Sequence, residues 1–196
     1  MESATTRDRM IEAAIALMRR TGVSGAGINE IVRESGAPKG SMYHFFPGGK
    51  REILATSLGV YATRIVAFLD ETLAPGKTPE AKVKALFKAF ARRVEGFDFQ
   101  QSCAAGCVSL DLDEDSEVIR QAAKAAFDDY VAAIERHFDF GNPRATRSFA
   151  SLLLTAIEGA YIRARAEHSS QAFAEAGDWL AHLAKASGCA PRWPPG

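Results

Sequence analysis

The sequence predicts an all-α fold in which three N-terminal helices precede six more. Two observations lead to this prediction. Apolar residues recur with helical spacing along the chain, and no sustained apolar–polar alternation indicates a strand. Breaks containing Gly or Pro also separate the apolar stripes, as they commonly do at helix ends.

The N-terminal helices are predicted from their caps and breaks. The first spans about Thr6–Thr21, with Thr5 or Thr6 as its cap. The second covers about Ile28–Ser35. Gly36 then permits a left-handed turn, and Pro38 suits the first position of a third helix that reaches Phe45.

The six later helices follow from amphipathic stripes and clear stops. Their predicted bounds are about Lys50–Leu73, Pro79–Gly96, Cys103–Leu112, Ser116–Phe138, Pro143–Glu167 and Ser170–Ser187. We expect three parts: a three-helix domain at 1–48, a six-helix domain at 49–189, and a flexible tail at 190–196.

The composition limits the function classes. The chain has 196 residues, of which 47% are hydrophobic, so it can bury a substantial core. Basic and acidic residues both number 24, whereas a chain that is mostly nucleic-acid binder is usually basic. Only part of this chain is therefore expected to touch nucleic acid.

The expected compartment is the cytoplasm. Three cysteines do not suggest a disulfide framework. The N-terminal residues lack the apolar segment of a secretory signal, and no apolar run is expected to approach the ~20 residues that span a bilayer.

The segment around the third helix indicates DNA binding. Two short helices separated by Gly36 fit a helix-turn-helix, whose second helix enters the major groove. Lys39-Gly40-Ser41 places a cation, a bare backbone and a hydroxyl at the exposed start of that helix. The other candidate contacts are Thr6, Tyr43, His44 and Lys50, of which Lys50 lies at a helix N-terminus that also attracts phosphate. Tyr43 as a core residue and Thr6 as a solvated helix start remain alternatives.

Residues 6–60 resemble the N-terminal domain of the TetR/AcrR family of bacterial regulators. The stretch Gly36–Lys50 is similar to the branch with a Gly-Gly-Lys turn, called LmrA/YxaF-like, and Gly106-Cys107 resembles that branch's ligand-domain pattern. The resemblance implies a homodimer in which residues 1–48 form the DNA-binding domain and residues 49–189 the ligand-binding and dimerisation domain. The dimer binds operator DNA through three helices per chain and is released when a small molecule enters the ligand domain.

Two residues depart from the family pattern. Phe45 stands where His or Tyr is usual, which removes or replaces one expected phosphate contact. Gly27 stands where Thr or Ser often caps the second helix. The residues therefore predict DNA binding, but they do not predict the base sequence of the operator.

The later helices supply candidates for an effector pocket and a dimer interface. Pocket linings are mainly apolar, which favours a hydrophobic or planar aromatic effector. The predicted pocket residues are Phe68, Phe87, Phe90, Cys107, Phe127, Tyr130, Ile157 and Tyr161. The resemblance implies that the last two helices pair across a two-fold axis, and the predicted interface residues are Leu153, Ala156, Ala160, Leu180 and Leu183.

The cysteine pair and the acidic run each allow a structural and a functional interpretation. Cys103 and Cys107 are spaced for one helix face, so packing, a thiol sensor and a metal site are all open, although no His lies nearby in sequence. The acidic run 111–117 is expected to be a solvated turn that favours the next helix start. No cofactor, metal or catalytic residue is predicted.

Two other function classes compete with an effector-released repressor. An architectural DNA-binding protein would use the same N-terminal domain without an inducer. An enzyme or carrier would use the C-terminal helices, but no acid–base or nucleophile cluster supports catalysis.

Overall fold

The computed structural model describes residues 4–113 and 116–187, and those residues form nine α-helices and no strand. The all-α prediction is therefore confirmed. In chain order the helices are α1 (Thr6–Gly25), α2 (Ile28–Ser35), α3 (Ser41–Phe45), α4 (Gly49–Leu73), α5 (Pro79–Glu95), α6 (Ala104–Ser109), α7 (Glu117–Glu135), α8 (Pro143–Glu167) and α9 (Gln171–Ser187).

Side chains cap several of these helices as their sequences suggest. Thr5 caps α1 in a reciprocal capping box with Asp8. Asn142 caps α8 and is followed by Pro at the first helical position. The Gly27 backbone begins α2 without a side-chain hydrogen bond, as predicted from its missing hydroxyl.

Two helix bounds differ from the prediction in an informative way. The α1 helix continues to Gly25, but Gly22 interrupts it with φ 66° and ψ −154°. The α3 helix begins at Ser41 rather than Pro38. The Ser41 N–H donates to the Pro38 carbonyl at 2.9 Å, so a turn precedes this five-residue helix.

Contacts within the chain define two compact units. The first runs up to Thr63 and adds Gln101–Phe127, whereas the second contains Arg64–Gln100 and the residues from Asp128 onward. The domain bounds at residues 48 and 189 stay a prediction, and the tail 190–196 lies outside the described residues.

Each unit has an apolar core. In the first, Met10, Met18, Ile31 and Met42 are fully buried. In the second, α5 and α9 pack closely against each other. A Cβ added to Gly177 on α9 would lie 2.7 Å from the Phe87 Cβ on α5, so the glycine permits this close approach.

The α4 helix corrects the expectation that no segment has the length and composition to cross a bilayer. It has 25 residues and is both long enough and apolar enough to cross a bilayer. However, Ile53, Leu54 and Leu58 are fully buried in the fold. A core helix of a globular protein meets the same criteria, which fits this burial.

Candidate nucleic-acid interface

The α2–α3 turn is fixed from both sides. Gly36 has φ 62° and ψ 21°, a left-handed conformation that ends α2. The Arg9 Nε on α1 donates to the Ser35 carbonyl at 3.1 Å and so ties α1 to the end of α2. Buried Met42 and Phe46 anchor α3 and the residue after it, at 0% and 1% exposure.

The opposite side of this segment faces solvent. Lys39, Gly40, Tyr43 and His44 are exposed, with Tyr43 at 60%. A Cβ added to Gly40 would meet nothing within 4 Å, so the backbone there is open to close approach. The alternative of Tyr43 as a core residue is therefore wrong.

The remaining predicted DNA contacts lie at helix starts. Ser41 is the first residue of α3, and Lys50 lies in the first turn of α4; both are half-buried. Thr6 is the first residue of α1, where its Oγ1 accepts a hydrogen bond from Arg9 at 3.4 Å.

Aromatic contacts support the exposed segment. The Arg7 guanidinium lies over the Phe46 ring at 5.4 Å, which places an exposed cation beside the end of α3. The His44 and Phe45 rings meet edge to face at 4.9 Å. Phe45 thus packs against the imidazole that sequence analysis assigned to phosphate.

Six of the eight residues predicted for the effector pocket belong to the second unit. In the second unit, Phe68, Phe90, Tyr161 and Phe173 form a chain of edge-to-face rings at 5.3, 5.9 and 5.3 Å. Three of these residues were predicted to line the pocket, whereas Phe173 was not among the predicted pocket residues. The other predicted pocket residues in this unit, Phe87, Tyr130 and Ile157, are each 1% exposed.

Two predicted pocket residues belong to the first unit. Phe127 is half-buried at its end. The Cys107 thiol donates to the Arg19 carbonyl on α1 at 3.4 Å, and Cys103 is buried. Among the described residues, no group of three His, Cys, Asp or Glu side chains is arranged to hold a metal ion.

The predicted dimer residues divide by burial. Leu153 and Ala160 are 0% and 4% exposed within their own chain, so they offer little surface to a second copy. Ala156 and Leu180 are half-buried, and Leu183 is 44% exposed. The physical reason is that α8 packs its inner stripe against its own chain, including α9.

Sequence analysis missed the apolar residues on the outer sides of α8 and α9. The exposed ones are Leu152 at 43%, Ile162 at 58% and Trp179 at 79%. Their signal was their position off the buried stripe of each helix, where polar residues are usual.

Comparison with known families confirms the resemblance. The model of bacterial regulatory proteins of the tetR family matches residues 10–56, and that of the LmrA/YxaF-like C-terminal domain matches residues 79–178. The chain belongs to the TetR family, in its LmrA/YxaF-like branch. This TetR-family chain is a DNA-binding transcriptional regulator rather than an enzyme.

Individual relatives agree with this assignment. The regulator YxaF of Bacillus subtilis is 29% identical over 158 residues, which cover 79% of this chain and 82% of YxaF. The regulator LmrA of the same organism is 26% identical over 135 residues, covering 69% of this chain and 72% of LmrA.

Solved structures share the fold. A TetR regulatory protein from Rhodobacter sphaeroides has a TM-score of 0.80 at 18% identity and covers 90% of this chain and 97% of its own. The regulator CifR, a cysteine mutant complexed with 26-bp operator DNA, has a TM-score of 0.73 at 16% identity, covering 99% of this chain and 100% of its own.

Proposed function

We propose that this TetR-family regulator is a cytoplasmic repressor that binds a near-palindromic operator as a homodimer and leaves it when an effector binds. The observation that carries this proposal is the exposed surface of Lys39, Gly40, Tyr43 and His44 on a segment anchored by buried Met42. Such a surface can enter a groove without disturbing the core.

The exposed side chains suit the phosphate backbone. Lys39 supplies an exposed ammonium group, Tyr43 a phenolic O–H and His44 a ring N–H. Ser41 and Thr6 add hydroxyls at helix starts, while Lys50 adds a charge near the free amides of α4. Gly40 lets the backbone approach the DNA, and base readout rests on the few polar groups around it.

The dimer would use the outer sides of α8 and α9. Leu152, Ile162, Trp179 and Leu183 expose apolar area there. A Cβ added to Gly159 on α8 would meet nothing within 4 Å, so another helix can approach closely. A two-fold dimer presents two recognition helices about 34–36 Å apart, which corresponds to one turn of DNA and a near-palindromic site.

The effector is proposed to be hydrophobic or planar and aromatic. The chain of rings from Phe68 to Phe173 provides aromatic surface, and the Arg93 guanidinium lies over the Phe68 ring at 5.3 Å. Calorimetry with a panel of planar aromatic compounds should detect binding. Binding of a polar metabolite alone would contradict this class of effector.

Replacing Lys39 tests the DNA surface. We expect Lys39→Ala to weaken operator binding about tenfold and to reduce the slope of log affinity against log salt by about one, because one phosphate contact is lost. Fluorescence anisotropy at several salt concentrations measures both, and sedimentation should show an unchanged oligomer.

Lys88→Ala is the matched control because Lys88 is an exposed lysine on α5, outside the proposed surface. It should leave the affinity and the salt slope at their wild-type values. Equal affinities of Lys39→Ala and Lys88→Ala would contradict the contact assigned to Lys39.

A further inference from the structure

The first unit contains a polar junction between α1 and the segment that holds α6. Arg19 and Ser102 exchange two hydrogen bonds: the Ser102 N–H donates to the Arg19 carbonyl at 3.0 Å, and the Arg19 Nε donates to the Ser102 carbonyl at 2.9 Å. Nine residues later in the same segment, Asp111 makes a second connection to α1. The segment is thus fixed to α1 at both ends.

In the second connection, the Asp111 carboxylate binds the backbone of α1 just after a bend at Gly22. The Asp111 Oδ2 accepts from the Ser24 N–H at 2.6 Å, and its Oδ1 accepts from the Ser24 hydroxyl at 2.8 Å. The amide of Ser24 is free to bond outside α1 because Gly22 is non-helical and interrupts the ladder of backbone hydrogen bonds. Asp111 therefore acts as a cap from another part of the chain.

The bend itself depends on a lack of side chain at Gly22. A Cβ there would lie 2.9 Å from the Asp111 Oδ2 and 3.2 Å from the Cys107 carbonyl oxygen. Gly22 and Asp111 thus fit together at close range. The pKa of Asp111 lies below its usual value, mainly because of the hydrogen bond from the Ser24 amide. The carboxylate is accordingly ionised, and the cap formed, at neutral pH.

The capped bend leads directly into the helix-turn-helix. Only Gly25, Ala26 and Gly27 separate Ser24 from α2, and Ala26 is fully buried. A change in the direction of residues 22–25 therefore changes where α2 starts, and α3 follows α2 through the fixed turn at Gly36.

We infer that Asp111 is a positioning residue for DNA binding: its carboxylate sets the exit of the chain from α1 and thereby the placement of α2 and α3. The inference rests on the proposed DNA surface of α3. It makes operator affinity depend on a residue of the matched C-terminal domain, through the residues that precede α2 in the N-terminal one.

The test compares Asp111→Asn with Asp113→Asn. Both remove one negative charge from the same segment, but Asp113 bonds to the nearby Ser116 rather than to α1. Loss of negative charge should raise binding to non-specific DNA slightly in both variants. We expect only Asp111→Asn to lower operator affinity, about tenfold. A neutral amide oxygen accepts from the Ser24 N–H more weakly than a carboxylate does, and the amide NH₂ cannot accept from the Ser24 hydroxyl.

The ratio of operator to non-specific affinity is the decisive readout, because a general change in charge does not lower it. A ratio that is equal in wild type, Asp111→Asn and Asp113→Asn would overturn the inference. Hydrogen exchange provides a readout without DNA: the Ser24 amide should exchange faster in Asp111→Asn than in Asp113→Asn. Equal exchange in both would also overturn it.

Ser24→Ala keeps the test decisive if Asp111→Asn folds poorly. It removes only the hydroxyl bond and should lower the same ratio about two- to threefold; an unchanged ratio would contradict the role of the cap. If Asp111→Asn lowers the ratio while Lys39→Ala leaves binding unchanged, the contact assigned to Lys39 fails and the positioning role stands.

Discussion

Gly22→Ala is expected to lower the free energy of unfolding by about 2–6 kcal/mol. The φ 66° and ψ −154° of Gly22 lie in a region that is essentially restricted to glycine, which costs about 1–3 kcal/mol for another residue. The added Cβ would also lie 2.9 Å from the Asp111 Oδ2, so the junction must shift at a further cost of about 1–3 kcal/mol. Urea denaturation followed by circular dichroism measures the change.

Two other glycines separate the backbone effect from the close contact. Gly36→Ala has a strained φ of 62° but open space around its Cβ, so we expect a loss of about 1–2 kcal/mol. Gly40→Ala has an ordinary helical φ and open space, so the stability should be unchanged within about 0.5 kcal/mol or slightly higher. A Gly22→Ala protein as stable as Gly40→Ala would show that the bend is not fixed as described.

Trp179→Glu is expected to have the largest effect on operator binding. Trp179 is 79% exposed on α9, where a large aromatic side chain is costly unless a partner covers it. A buried carboxylate would oppose association, so the protein should sediment as a monomer at micromolar concentration. Two half-sites bound by one dimer gain about 10²–10⁴ in avidity, and operator affinity should fall by at least about 100-fold.

Leu110→Glu is the matched control for this substitution. Leu110 is also strongly exposed, at 77%, but lies just after α6 in the first unit rather than on α8 or α9. It should leave the sedimentation coefficient unchanged. A dimer of equal stability in wild type, Trp179→Glu and Leu110→Glu would place the interface elsewhere.

The sequence predicted most helices because their signals are local. Periodic apolar residues and caps are sufficient for α2 and α8, whose predicted and observed bounds agree. The exposed residues of α3 were likewise predictable, because Met42 and Phe46 at i and i+4 identify the buried side.

Other features depend on contacts between distant residues. The role of Asp111 could not be foreseen because Ser24 is 87 positions away, and the acidic run was interpreted as a solvated turn. The dimer prediction named Leu153 and Ala160 because apolar periodicity marks the buried stripe of α8, whereas the exposed Leu152 and Ile162 lie outside that stripe. Helical period alone does not distinguish these two kinds of apolar surface.

The most direct test of the central claim is to sequence the genomic DNA fragments that co-purify with the full chain and to measure the binding of the enriched sequence. We predict a near-palindromic site with half-sites about one helical turn apart, bound by two chains and bound more weakly by Lys39→Ala. Fragments without an enriched sequence, or an enriched site that lacks two-fold symmetry and binds Lys39→Ala as tightly as wild type, would contradict it.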